Sequence, residues 1–393
     1  MGIINLLLGA LILFSPVAFA QDAGLVSHNA DQAHEGLTLF TPLEGGLAGD
    51  GGSRVFLIDM NGDVVHAWDM GDQLGQYAEL LPDGTLLYRS TYAHPTSPQV
   101  GIVQHLAWDG EMLWEYENDL LHHDMAMLPN GNVMVVMWEG YKGDGSFWSD
   151  RIVEIDYDTG EIVWEWSLQD HVELTAIDAQ GDELTHVNAV EYLPEGNSYN
   201  GREGILISSR ELSTVMIVDY ETGEIVWEYG PGELLHQHDP TLLENGNVLI
   251  FDNRRRNSRV VEVDPQTDEI VWSYEAEGFF SHNVSGAQRL ENGNTLITEG
   301  AQGRVFEVTS EGEIVWGYVS PFADEDGRNA IFRAHRYDAD DVDWPEGVWP
   351  YEVIEESDDD QFILILIIGL IAIVAASGFV VYKSVRAIND AMR

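Results

Sequence analysis

The sequence predicts an all-β chain folded as a six-bladed β-propeller, and two interleaved repeats with a regular spacing predict it. The first repeat is a turn followed by an apolar, aromatic strand: Asn61-Gly62-Asp63-Val64-Val65-His66-Ala67-Trp68, Asp109-Gly110-Glu111-Met112-Leu113-Trp114-Glu115-Tyr116 and Thr159-Gly160-Glu161-Ile162-Val163-Trp164-Glu165-Trp166. It recurs as Thr222-Gly223-Glu224-Ile225-Val226-Trp227-Glu228-Tyr229, Thr267-Asp268-Glu269-Ile270-Val271-Trp272-Ser273-Tyr274 and Glu311-Gly312-Glu313-Ile314-Val315-Trp316-Gly317-Tyr318. Aligned positions 66, 114, 164, 227, 272 and 316 lie 48, 50, 63, 45 and 44 residues apart, the period of a four-stranded blade with one insertion. His66 stands where the other five copies have Trp.

The second repeat is a hairpin turn between apolar strands: Leu81-Pro82-Asp83-Gly84-Thr85, Leu128-Pro129-Asn130-Gly131-Asn132, Leu193-Pro194-Glu195-Gly196-Asn197, Leu243-Glu244-Asn245-Gly246-Asn247 and Leu290-Glu291-Asn292-Gly293-Asn294. Each blade therefore reads as strand A, an Asn-Gly type turn, strand B, a variable loop, strand C, a Thr-Gly type turn and strand D. Alternating Trp and Tyr on the D strands suit packing between blades. Six D strands give six blades, and five clear A–B turns leave one blade without its own A strand. Segments 37–42, 55–59 and 63–68 supply B, C and D of that blade, and Ile331–Tyr337 is expected to supply A. Joining the two ends of the chain in one sheet closes the ring and protects its edges. The propeller is expected to span 37–350, after an N-terminal segment 21–36.

The flanks suggest a membrane-tethered protein. Residues 3–14 are apolar and precede Ala18-Phe19-Ala20, so a signal peptide is expected over 1–20, although it carries no Lys or Arg. Residues 362–382 hold no charge and are long enough to span a bilayer. An acidic linker, 351–361, precedes them, and the tail 383–393 carries Lys383, Arg386 and Arg393. The positive-inside rule places that tail in the cytoplasm and the propeller on the extracytoplasmic side of the cell membrane.

With 18 Lys+Arg against 68 Asp+Glu the chain carries a formal charge of −50, which excludes nucleic acid as a partner and fits a saline, halophilic setting. Cysteine is absent, so thiol nucleophiles, thiolate metal sites and disulfides are excluded.

In a meander the starts of the A strands and the ends of the B strands meet on one face, where functional side chains of a rigid scaffold converge. The starts carry Gln76, His123, Asn188, His238 and Ser285, with His122, His186, His236 and His282 just upstream. Six of the 13 histidines thus fall at or within three residues of these starts. The B-strand ends carry Arg89, Trp138, Arg210, Asn253 followed by Arg254–Arg256, and Glu299. Imidazoles beside arginine suit transfer of an anionic group: one His attacks, Arg balances the oxyanion and another His handles the leaving oxygen's proton. Imidazoles could also hold a metal, but the spacings around the ring are wide and no zinc-protease helix motif is present, so no metal is expected. Asp338, Asp340, Asp341 and Asp343 lack the Gly and Glu of a calcium loop and read as a solvated acidic loop. Without a P-loop or dinucleotide fingerprint, a small ester is the expected donor and no cofactor is expected.

His186-Val187-Asn188-Ala189-Val190, Ser208-Ser209-Arg210, Gln237-His238-Asp239 and Phe251-Asp252-Asn253 resemble, in order and blade position, the motifs of bacterial arylsulfate sulfotransferases. The resemblance covers roughly residues 37–337. It implies a six-bladed propeller that moves a sulfuryl group from a phenolic sulfate ester to a phenolic acceptor through a sulfohistidine, without the nucleotide donor PAPS. It implies His238 as nucleophile, Arg210 and His186 on the sulfuryl oxygens with Asn188 alongside, and His123 as the acid/base on the phenol oxygen. His236, His282 and Asn253 complete the set as substrate-binding candidates. The chain departs from the family in having Arg254-Arg255-Arg256 where Gly commonly follows Phe-Asp-Asn, and in lacking the cysteines of the disulfide found in some members. Two other readings stand beside this one: a non-enzymatic cell-surface propeller binding an anionic or glycan ligand, and an aryl sulfate hydrolase in which water accepts from the same sulfohistidine.

Overall fold

A computed structural model describes residues 23–348, apart from 44–52, 72–73, 93–99, 144–145, 175–181 and 324–326. The expected signal peptide, acidic linker, membrane segment and tail lie outside the described residues. Among the described residues no helix is long and apolar enough to cross a membrane. The chain divides into two units, Met1–Trp344 and Pro345–Arg393, and every strand among the described residues belongs to the first.

Six antiparallel sheets form the propeller. Blade 2 consists of Leu74–Leu80, Leu86–Tyr92, Val100–Leu106 and Met112–Asn118, as strands A to D. Blade 3 follows with Leu121–Met127, Val133–Gly140, Trp148–Ile155 and Ile162–Ser167, and blade 4 with Val187–Leu193, Gly204–Ser209, Thr214–Asp219 and Ile225–Tyr229. Blade 5 is His238–Leu242, Val248–Asp252, Arg259–Asp264 and Glu269–Tyr274; blade 6 is Gly286–Arg289, Thr295–Glu299, Arg304–Val308 and Ile314–Val319. Blade 1 joins the two ends of the chain: Ile331–Tyr337 is its A strand, paired with Leu37–Pro42, then Arg54–Ile58 and Val64–Asp69. The closure expected from the repeat count is the one observed. The N-terminal segment adds something the repeats do not encode, because Gly24–His28 pairs with the D strand of blade 6 as a fifth strand.

The blades pack face to face through strands apolar on both sides. In blade 3, Val133, Val135 and Met137 meet Leu87 and Val103 of blade 2, while Met134 and Val136 meet Val187, Ile205 and Ile207 of blade 4. All ten side chains are fully buried, and each contributes about 1.5–3 kcal/mol of transfer free energy. The D-strand aromatics also clasp the next blade. Trp166 Nε1 donates to Gly223 O (2.9 Å), Trp227 Nε1 to Asp268 Oδ1 (3.0 Å), Trp272 Nε1 to Ser310 O (2.9 Å) and Trp316 Nε1 to Met60 O (2.8 Å). His66, in the Trp position, makes the same link to Trp108 O at 2.9 Å and stacks on that indole.

What positions the site is a recurrent bulge at the start of the A strands. Pairing with strand B slips around Gln76, at His123-Asp124, at Asn188 and at Asp239-Pro240. In blade 1 it slips at Phe332-Arg333. A bulge leaves residues outside the ladder and redirects their side chains. At Asp239-Pro240 its cause is local, because Pro240 has no N–H to donate. Blade 6 has no bulge in its A–B pairing. There Gly286 is required, since a Cβ would lie 2.0 Å from Asp239 Oδ2.

Candidate active site

Four residues of the histidine-rich segments sit in left-handed backbone conformations: His123 (φ 53°), His186 (φ 48°), His236 (φ 57°) and Asp239 (φ 51°). For residues with a Cβ this costs about 1–2 kcal/mol each, and such strain persists where packing fixes a functional geometry.

His238 is nearly buried, and its ring is held from one side. Nδ1 lies 2.7 Å from Asn253 Oδ1 and 3.0 Å from His236 O. Asn253 Nδ2 donates to Ser281 O (3.0 Å) and Val284 O (3.1 Å), which fixes the amide so that its oxygen faces the imidazole. With two acceptors before it, Nδ1 must carry the proton. Nε2 is then left with a free lone pair.

The backbone around His238 is anchored by its neighbour. Gln237 Nε2 donates to Ser208 Oγ (2.9 Å), Ser209 O (3.0 Å) and Thr214 O (3.1 Å), while Gln237 O accepts from Asn188 Nδ2 (2.9 Å) and Ser208 Oγ (3.2 Å). Asn188 is therefore joined to the His238 segment. Asn188 Oδ1, also buried, has no hydrogen-bond partner among the described residues.

A second tautomer chain fixes His123. His122 Nε2 lies 2.8 Å from Asp150 Oδ1, which calls for a proton on Nε2, so His122 Nδ1 accepts from His123 Nδ1–H at 2.8 Å. His123 Nε2 is thus another free lone pair. The His123 and His186 rings pack at 4.4 Å, and Trp138 stacks on His122 at 3.8 Å. His186 Nδ1 is held by Glu183 Oε2, and Arg210 Nη1 by Glu211 Oε1.

Beneath the histidines lies a buried ionic hub. Arg333 pairs with Asp239 Oδ1 (2.7 Å) and Asp124 Oδ2 (3.0 Å), the residues that follow His238 and His123. Asp124 also accepts from Val190 N (2.9 Å) and Asp239 from Ala287 N (3.2 Å). The hub ties blades 1, 3, 4, 5 and 6 together. Arg333 carried no signal in the sequence, because the A–B turn that marks the other A strands is missing from blade 1. Extending the alignment by strand register would have found it at the position of Asp124 and Asp239.

Burial dominates the protonation states. It lowers His238 to about 3, with the Asn253 hydrogen bond opposing and His186, Arg210 and Arg333 adding to the shift. Burial likewise takes His123 well below the usual imidazole value, helped by His186, His122 and His238, and lowers His122 and His236. These electrostatic couplings join His238, His186, Arg210 and His123 into one cluster. At neutral pH, His238 and His123 are neutral with Nε2 available. His282 is not brought into this group: it is exposed and makes no contact with the cluster among the described residues. Nor do His, Asp and Glu side chains form a group of three or more able to hold a metal ion among the described residues.

Fold and site together define a closed β-propeller with neutral imidazoles and arginine gathered on one face, an arrangement suited to an anionic group. The sequence family described as Arylsulfotransferase (ASST) matches residues 78–320, and the chain belongs to that family. No curated protein sequence matches. Among solved structures, a protein of unknown function from Bacteroides caccae is 16% identical, with 77% of this chain and 99% of that one covered and a TM-score of 0.50. TolB from Acinetobacter baumannii is 12% identical (76% and 66% covered, TM-score 0.49), and virginiamycin B lyase from Staphylococcus aureus 11% (76% and 89%, TM-score 0.43). At these identities the likeness concerns the fold alone.

Proposed function

We propose that this protein is a PAPS-independent aryl sulfotransferase that passes a sulfuryl group from a phenolic sulfate ester to a phenolic acceptor through a sulfohistidine on His238 Nε2. The observation that carries this reading is the Asn253 clamp: it commits the proton to Nδ1 and leaves the opposite nitrogen of a neutral, buried imidazole free to attack. In the first step Nε2 bonds to sulfur while the bond from sulfur to the aryl oxygen breaks, and the phenolate departs with the electron pair. In the second, the acceptor phenol gives its proton to His123 Nε2, its oxygen bonds to sulfur and the nitrogen–sulfur bond breaks. Arg210 supports the sulfuryl oxygens. Glu183 occupies the Nδ1–H of His186, so His186 donates to a sulfuryl oxygen only as the imidazolium. The apolar run 3–14 before Ala18-Phe19-Ala20 and the uncharged segment 362–382 support an extracytoplasmic domain anchored in the cell membrane.

The test is to incubate the protein with p-nitrophenyl sulfate and a phenol. Nitrophenol release should depend on the phenol, and an acid-labile mass increase of one sulfuryl group should map to His238. Full turnover by His238→Ala would overturn the mechanism. Release without phenol would mean hydrolysis, and no turnover with any aryl sulfate would favour a binding propeller.

A further inference from the structure

Arg89 differs from the other buried and half-buried arginines around the propeller. Arg210, Arg259, Arg289, Arg304, Arg333 and Arg336 each lie within ion-pair distance of a carboxylate. Arg89 is 1% exposed and has no such carboxylate among the described residues. Its guanidinium donates to the backbone oxygens of Ser90 and of Leu121 (2.9 Å), and its Nε has no hydrogen-bond partner among the described residues. Burial, only partly opposed by Tyr88 and the more distant Asp124, lowers its pKa to about 9, which still leaves it charged at neutral pH. A buried cation with no carboxylate at ion-pair distance is costly, and in a chain with 68 acidic residues carboxylates are not scarce. The position is built for an anion that arrives from outside.

Its surroundings say which one. Arg89 lies within the B strand of blade 2, paired with Tyr77, and Arg210 follows the B strand of blade 4, so the two blades on either side of blade 3 and its histidines each supply an arginine. It lines a cavity of about 540 Å³ together with His122, His123, His186, Trp138 and Trp148. That volume accommodates a substituted aromatic ring, and two indoles supply apolar walls. Asp119 and Asp182 are exposed at the same cavity.

We propose that Arg89 binds the phenolic oxygen of donor and acceptor, and that this cavity is the aryl subsite, selective for phenols that carry no second anionic group. The assignment rests on the sulfotransfer reading above. A neutral imidazole is a weak acid, so His123 offers little protonation to a departing phenolate. A fixed cation in a dry site takes the developing charge instead. In the return step the same guanidinium holds the acceptor oxygen as its proton passes to His123 Nε2. The carboxylates of Asp119 and Asp182 repel a carboxylate or sulfonate on the ring and favour a neutral or ammonium substituent.

The experiment compares full-length wild type, Arg89→Lys and Arg89→Met across aryl sulfates from p-nitrophenyl sulfate to phenyl sulfate. Arg89→Met should lose about 10²–10³-fold with the poorest leaving group and far less with p-nitrophenyl sulfate, and Arg89→Lys should recover part of the loss. An equal loss for every donor, or no loss, overturns the proposal. If Arg89→Met does not fold, Arg89→Lys carries the same comparison. Calorimetric titration of His238→Ala with tyramine and with 4-hydroxybenzoate reads the subsite without turnover. Tyramine should bind at least tenfold tighter, and adding Arg89→Lys should weaken it. Equal binding, no binding, or indifference to Arg89→Lys overturns the subsite. Absence of turnover in the wild type with this binding pattern intact would count against sulfotransfer and not against the subsite.

Discussion

Replacing Arg333 by Met tests whether the ionic hub holds the site together. The guanidinium is 7% exposed and neutralises Asp124 (1% exposed) and Asp239 (5% exposed) across the channel. Methionine keeps much of the stem but leaves two buried carboxylates facing each other. Breaking a buried pair costs about 3–5 kcal/mol, a large part of the 5–15 kcal/mol that stabilises a typical domain. At roughly 2–4 °C per kcal/mol, Tm should fall on the order of 10 °C. The sign of the pH dependence follows from the carboxyls. Burial, only partly opposed by Arg333, already raises Asp124 and Asp239 above their ordinary values. A carboxyl with a raised folded pKa keeps its proton longer in the folded chain, so its contribution to stability declines as pH rises through that window. Removing Arg333 extends the window upward, and the penalty should be larger at pH 8 than at pH 5. Thermal unfolding of wild type and variant at both values measures it. Adding Asp124→Asn and Asp239→Asn should recover a good part of the loss at pH 8. A penalty that is the same at both pH values and unrelieved by the two Asn substitutions would refute the charge argument.

Two further predictions concern His238, the proposed nucleophile. Because burial holds His238 near 3, kcat/KM for p-nitrophenyl sulfate should show no acid limb at the ordinary imidazole pKa of about 6.5 between pH 5 and 8. A limb at that value which disappears with the His238 side chain would contradict the assignment of a neutral nucleophile. Asn253→Ala removes the shorter of the two contacts that hold the proton on His238 Nδ1, together with two donations to backbone oxygens. It should lower kcat about 10²-fold and stability by about 1–3 kcal/mol, read by single-turnover kinetics and denaturant unfolding.

The repeats made the scaffold legible. A hairpin turn and the strand beside it form contacts within one blade, so the Asn-Gly and Thr-Gly turns carry their own hydrogen-bonding instructions. Ring closure followed by counting, since an A strand missing at the start had to come from Ile331–Tyr337. The face that gathers His123, His186, Asn188, Arg210 and His238 followed from strand direction alone. What local pattern could not convey are contacts between residues far apart in the chain. Arg333 meets Asp239 and Asp124 across separations of 94 and 209 residues, and no repeat marks such a partner. The bulges that turn these side chains inward depend on pairing register, which only the assembled sheet sets. Protonation is decided later still. Sequence supplies an imidazole and an amide, but the burial that keeps His238 neutral, and the carbonyls of Ser281 and Val284 that orient Asn253, exist only once the blades close around them. For the same reason nothing in the sequence set Arg89 apart from the other arginines: whether a carboxylate lies at ion-pair distance shows only when every neighbour is in place.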